Sequence, residues 1–134
     1  MQLTKLHQIA AHTRDFEEST RFYRDILGAK YLAKFDPPGL LFFDFSGTRL
    51  LFEKNAPKAT LYFHVADIEA AHQELVGKGI AFDSPPHRIH KDENGTFGPR
   101  GAEEWMAFFK DPSGNIVALA TQQMPRLPEP RFGG

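Results

Sequence analysis

Apolar and polar positions along the chain follow two rhythms. Leu3 and Leu6 lead into Gln8-Ile9-Ala10-Ala11-His12, and Lys5–Thr13 reads as a strand. Asp15 follows, with a carboxylate suited to the free N–H groups of a first helical turn, and Glu17 and Glu18 stand where the positive helix end favours them. Phe16, Ser19, Phe22, Tyr23, Ile26 and Leu27 then recur at helical spacing, and Gly28 occupies the place of a left-handed C-cap. This predicts a helix over 15–28 with Phe22 and Tyr23 on its core stripe. Strand rhythm returns at Tyr31–Phe35, Leu40–Phe45 and Arg49–Glu53, separated by Pro37-Pro38-Gly39 and Ser46-Gly47. The predicted order is β-α-β-β-β.

The same order then starts again. Thr60–Val65 reads as a strand and Asp67 as a cap. Ile68, Ala71, Leu75 and Val76 form one face of a helix over 67–78 that ends at Gly77 and Gly79. Strands are predicted at Ile80–Phe82, Glu104–Phe109 and Ile116–Thr121. The polar segment 84–101, with Pro85-Pro86, Asn94-Gly95 and Pro99, reads as a loop with a short strand near His87–His90, long enough to act as a lid.

Displacing the sequence by 52 puts Gln8, His12, Asp15 and Glu17 on Thr60, His64, Asp67 and Glu69. Displacing it by 67 puts Asp44, Ser46 and Gly47 on Asp111, Ser113 and Gly114. Both matches fall on the same kinds of element, so the chain reads as an internal repeat of units 1–56 and 57–123. Residues 124–134 hold three prolines and are expected as an extended C-terminal tail, either disordered or lying as an arm over a partner subunit.

The duplicated unit resembles the vicinal oxygen chelate superfamily, which includes glyoxalase I, bleomycin- and fosfomycin-resistance proteins, extradiol dioxygenases and methylmalonyl-CoA epimerase. The residues that carry the likeness are Gln8-Ile9-Ala10-Ala11-His12-Thr13-Arg14-Asp15, Phe22-Tyr23-Arg24-Asp25-Ile26-Leu27-Gly28 and Asp111-Pro112-Ser113-Gly114-Asn115. It spans about residues 3 to 122. The resemblance implies an α+β fold of two βαβββ modules whose curved mixed sheets surround a cup, and a homodimer. Enzymes of the superfamily hold a divalent metal with His, Gln or Glu on the first and last strand of each unit. Carried over, those places are Gln8, Leu51, Thr60 and Ala118. Only Gln8 could bind a metal there, and such ions need several O or N donors. No metal site and no cofactor are therefore expected, with a divalent metal as the alternative.

Strand side chains alternate faces, so His12 is expected beside Gln8, Glu53 beside Leu51, and Tyr62 and His64 beside Thr60, all towards the cup. Two readings of the histidines stay open. In one they form a displaced metal site or acid–base pair with Glu53, because His titrates near neutral pH. In the other each is a polar lining residue. A span of four residues along a strand is ~13 Å, which works against a metal shared by repeat mates. Alternation also sends Met106 and Phe108 to one face and Trp105, Ala107 and Phe109 to the other, leaving open which face meets a ligand. Trp105, Met106 and Phe108 are therefore all candidate contacts for a flat or apolar molecule. His87 and His90, flanked by prolines and charges, read as solvated loop residues.

Composition narrows the classes. In 134 residues there is no Cys, which removes disulfides, thiolate metal sites and a cysteine nucleophile. Lys+Arg 16 against Asp+Glu 17, with no basic block, argues against a nucleic-acid partner. The longest apolar run, Leu40-Leu41-Phe42-Phe43, is far short of the ~20 residues of a membrane span, and Met1 to Ala10 lacks a signal-peptide core, so a cytoplasmic protein is expected. Neither a Gly-x-Gly-x-x-Gly nor a Gly-x-Ser-x-Gly pattern occurs. The leading expectation is a small-molecule-binding member of the superfamily that lacks the usual metal ligands. The alternative is a metal-dependent lyase, isomerase or dioxygenase using Gln8, His12, Glu53 and His64.

Overall fold

A computed structural model describes residues 1–125. The first unit consists of β1 (Gln8–His12), α1 (Phe16–Thr20) continuing directly as a π-helical turn (Arg21–Ile26), β2 (Lys30–Phe35), β3 (Leu40–Phe45) and β4 (Thr48–Glu53). The second consists of β5 (Thr60–His64), α2 (Ile68–Gly77), β6 (His87–Lys91), β7 (Glu103–Lys110) and β8 (Ile116–Gln123). Each unit forms one four-stranded mixed sheet, in the order β1-β4-β3-β2 and β5-β8-β7-β6. The first strand of each unit lies parallel to the last, which the intervening helix and hairpin make possible, and the other pairs are antiparallel. This is the α+β duplication expected from the sequence.

Both helices start as their caps predict. The Asp15 carboxylate accepts the Glu18 backbone N–H at 2.8 Å, and that of Asp67 accepts the Ala70 N–H at 3.0 Å. Gly28 and Gly79 close them at φ 72° and 91°. The first helix is one residue longer between cap and glycine than the second. That residue is absorbed as π-helix, with the Leu27 N–H donating to the Phe22 carbonyl five residues back at 3.0 Å. The helix predicted over 15–28 is thus α-helical only in its first half.

One core serves both units. Tyr23 and Phe22 lie between the sheets, with Tyr23 4.7 Å from Phe52 and 5.8 Å from Phe43 by ring centroid, and Phe22 6.2 Å from Phe109. Leu41 and Leu50 of the first unit and Leu61, Ile68, Leu75, Val117 and Leu119 of the second belong to it. The helices cover one face of each sheet, and the other face is free of them.

The closing turn of the second unit fastens the two units together. The Asp111 carboxylate accepts the Tyr23 hydroxyl at 2.7 Å, the Asn115 amide at 2.8 Å, and the Ser113 and Asn115 backbone N–H groups at 2.9 Å each. Asn115 also donates to the His12 carbonyl at 2.7 Å and accepts from the Ala59 N–H at 2.8 Å, while Ser113 accepts the Arg14 N–H at 3.0 Å. Burial pushes the Tyr23 phenol far above its ordinary pKa, and the Asp111 carboxylate pushes it further, so Tyr23 remains a donor.

The structure corrects two expectations about the repeat and the second unit. Displacement by 67 holds for β4 and β8, where Leu50, Leu51 and Phe52 match Val117, Ala118 and Leu119 in face. Leu51 pairs with Phe42, however, and Ala118 with Phe108, so β3 and β7 are related by 66. Asp44 is therefore the counterpart of Lys110, and Asp111 that of Phe45. The extra residue sits in the Asp111–Asn115 turn, where the first unit has the two-residue turn Ser46-Gly47.

The other correction concerns Ile80–Phe82, which is not a strand. Phe82 packs on Phe109 at 5.0 Å and His72 at 4.5 Å, and one backbone bond, Asp83 N–H to the Phe108 carbonyl at 2.9 Å, touches β7. Pro85 and Pro86 offer no N–H to a ladder, so pairing begins at His87.

Candidate functional site

The helix-free faces of the two sheets carry the residues singled out by alternation. On the first sheet, register aligns Gln8 with Arg49, Ala10 with Leu51, and His12 with Glu53. On the second it aligns Tyr62 with Ala118 and Phe108, and His64 with Ala120 and Met106. Tyr62 stands 59% exposed with its ring 6.3 Å from that of Phe108, an edge-to-face pair on the strands either side of Ala118, which is fully buried. Tyr62, His64, Glu104, Ala120 and Gln122 line an open depression of about 290 Å³.

Trp105 departs from this set. It turns to the opposite face, packs against the core and donates its indole N–H to Glu103 at 3.2 Å. Met106 and Phe108 are therefore the pair on the helix-free side, a choice that alternation by itself left open.

His12 is tied in place. Its Nδ1 lies 3.0 Å from the Lys54 carbonyl, and because a carbonyl only accepts, Nδ1 is the donor in this bond and Nε2 is the ring nitrogen it leaves free. Among the described residues no three His, Asp or Glu side chains gather closely enough to hold a metal ion, so His12, Glu53 and His64 do not form one ligand cluster. At the places where the superfamily's enzymes carry ligands, Leu51 and Ala118 present hydrocarbon, flanked by Phe42 on one sheet and by Tyr62 and Phe108 on the other. The donor set does not fit such an ion.

Several lining residues escaped the sequence reading. Glu104 and Gln122 extend the rows of Phe108 and Ala118, and two more steps of the same alternation along each strand would have found them. Arg49, two residues before Leu51, stacks its guanidinium 5.7 Å over the Phe42 ring, and its Nη2 lies 2.9 Å from Nε2 of His7.

Segment 84–101 is held by a strand and by one buried carboxylate. His87–Lys91 is strand β6, exposed throughout. Asp92, only 3% exposed, then gathers the chain: its carboxylate accepts the N–H groups of Thr96 and Phe97 at 2.8 Å and Gly98 at 3.2 Å, and its carbonyl accepts from Gly101 at 2.7 Å. Phe97 at the loop tip is 70% exposed, 6.3 Å from the His90 ring. The expected tail lies almost wholly outside the described residues.

Among solved structures the chain is similar to an integron cassette protein from the mobile metagenome of V. cholerae, at 19% identity and TM-score 0.71, over 90% of this chain and 97% of that one. It is also similar to a lactoylglutathione lyase from Agrobacterium tumefaciens, at 21% identity and TM-score 0.68, over 89% and 94%. A glyoxalase/bleomycin resistance protein/dioxygenase from Nocardioides matches at 17% identity and TM-score 0.69, over 99% and 92%. At these identities the likeness is one of fold. No curated protein matches the chain. The profile of one family covers residues 5–119, most of both units, and the chain accordingly belongs to the Glyoxalase/Bleomycin resistance protein/Dioxygenase superfamily.

Proposed function

We propose that this member of the superfamily binds a small, partly aromatic molecule on the helix-free face, without a metal at the places where related enzymes carry one. The observation that supports this best is the hydrocarbon of Leu51 and Ala118 at those places, with the Tyr62 and Phe108 rings packed beside the second. Tyr62, Met106 and Phe108 would form an apolar platform for a flat molecule, and His64, Glu104 and Gln122 would supply polar contacts around it. Gln8, His12 and Glu53 would contribute from the first sheet, with Nε2 as the ring nitrogen of His12 free for a ligand. The working unit in this reading is a homodimer: β2 and β6 are free edges, Phe35 and Ile89 on them are exposed, and a partner sheet would cover both.

The test is a thermal-shift screen for small ligands, followed by Tyr62→Ala and His64→Phe. Each should weaken a hit by about tenfold or more, roughly 1.4 kcal/mol, with little change in the melting temperature of the free protein. A large loss of stability instead would make the side chain structural. Added Ni, Zn, Mn or Fe should barely move the melting temperature, since stabilisation follows site occupancy. A saturable, stoichiometric rise abolished by Glu53→Ala would overturn the proposal and favour a metal-dependent lyase, isomerase or dioxygenase. Sedimentation at micromolar concentration showing only a 15.1 kDa species would refute the dimer.

A further inference from the structure

The two halves of the repeat meet differently on the helix side of the sheets. On one side of the interface the Tyr23 hydroxyl of the first unit reaches Asp111 of the second at 2.7 Å. Displacement by 52 makes Leu75 the counterpart of Tyr23, and strand register makes Phe45 the counterpart of Asp111. Leucine is shorter than tyrosine and has no donor, and phenylalanine has no acceptor, so the second meeting has no polar bridge. Between Leu75 and Phe45 lies a cavity of about 500 Å³.

Its wall is aromatic and apolar: Tyr23, Phe45, Phe63 and Phe109 line it, with Phe45 and Phe63 in contact at 4.8 Å. The π-helical turn forms another part of the wall through Ile26, and such turns recur at functional sites. At the rim the charged groups balance, Lys30 and Lys78 against Asp44 and Glu74, and His64, shared with the helix-free depression, also borders the cavity. Lys78 is already engaged, donating to the Ile26 carbonyl at 3.1 Å with Glu74 3.8 Å away. The rim thus offers no net charge to select an ion, while several aromatic rings offer edges and faces to a flat guest. The volume falls within the usual range of ligand sites.

We infer that this cavity between the two units is a second binding site, distinct from the helix-free face and adjoining it at His64, and that it takes a flat, uncharged aromatic molecule. The guest would fill the space that the Tyr23–Asp111 bridge closes on the opposite side.

The probe is 2-naphthol, with naphthalene-2-sulfonate as its charged counterpart, followed by amide chemical shifts of the isotope-labelled full chain. 2-Naphthol should move the amides of residues 44–46, 63–65 and 71–78 saturably and leave Tyr62, Phe108 and Ala120 in place. The sulfonate should bind at least about tenfold more weakly. Ala71→Trp, which puts an indole into the space a guest would occupy, should abolish the response, as should Leu75→Trp, which does so from another turn of α2 should the first variant not fold. Equal or tighter binding of the sulfonate, or unchanged binding in a folded filled variant, would overturn the inference. So would the absence of shifts at 44–46 and 71–78. Shifts confined to Tyr62 and Phe108 would overturn it while supporting the ligand face proposed above.

Discussion

Asp92 shows how one side chain can organise a segment that composition marks only as polar. Burial alone would raise its pKa, but the N–H groups of Phe97, Thr96 and Gly98 outweigh that effect, with a smaller contribution from His90, and hold it below the ordinary value of 3.8. A lowered folded-state pKa means the carboxylate stabilises the loop above the ordinary range and loses that effect as the pH falls through the folded value. Hydrogen exchange at Thr96, Phe97 and Gly98 should therefore be slow near neutral pH and quicken, relative to the core, only below about pH 4. Asp92→Asn should produce fast exchange at those amides at all pH values while the sheets stay protected. Protection retained in that variant would assign the loop's order to its backbone bonds instead.

At the scale of elements, caps and strand periodicity carried the reading, and single-residue insertions limited it. Asp15 and Asp67 cap as expected because a carboxylate next to free N–H groups is a local matter, independent of what packs around it. Asp67→Ala should cost about 1 kcal/mol, a typical cap contribution, read as a lower denaturation midpoint with an unchanged slope. The π-turn was hidden because a stripe of Phe22, Tyr23, Ile26 and Leu27 suits either helix type. The one-residue excess between Asp15 and Gly28 over Asp67 and Gly79 was its only trace. Ile80–Phe82 has strand composition, yet Phe82 gains more by packing on Phe109 and His72 than an isolated short strand gains by pairing ahead of two prolines.

For the whole molecule, the decisive contacts lie between the units. Tyr23 joins a helix of the first unit to the last turn of the second across 88 residues of sequence. Tyr23→Phe keeps the ring packing on Phe52 and Phe43 but removes one of the donors to a buried carboxylate. A loss of about 1–3 kcal/mol is expected, with the fold intact, by denaturant titration. A neutral result would mean that Asn115 and the backbone alone satisfy Asp111.

The sequence by itself determined what short-range physics controls: the βαβββ order, the duplication, the helix starts at Asp15 and Asp67, and the hydrocarbon at Leu51 and Ala118. Alternation likewise brought Gln8, His12, Glu53, Tyr62 and His64 to one side of their strands, because successive residues of a strand must point opposite ways. Tertiary structure alone decided which side that was. It turned Met106 and Phe108 to the helix-free face and Trp105 to the core, because the helices cover the side where Ala107 and Phe109 point. It also decided that β3 and β7 are related by 66 rather than 67, since register follows the length of the turn and not the likeness of Asp-Phe-Ser-Gly to Asp-Pro-Ser-Gly. The cavity between Leu75 and Phe45 belongs to the same class of facts: it arises where two elements distant in sequence meet without side chains long enough to fill the space between them.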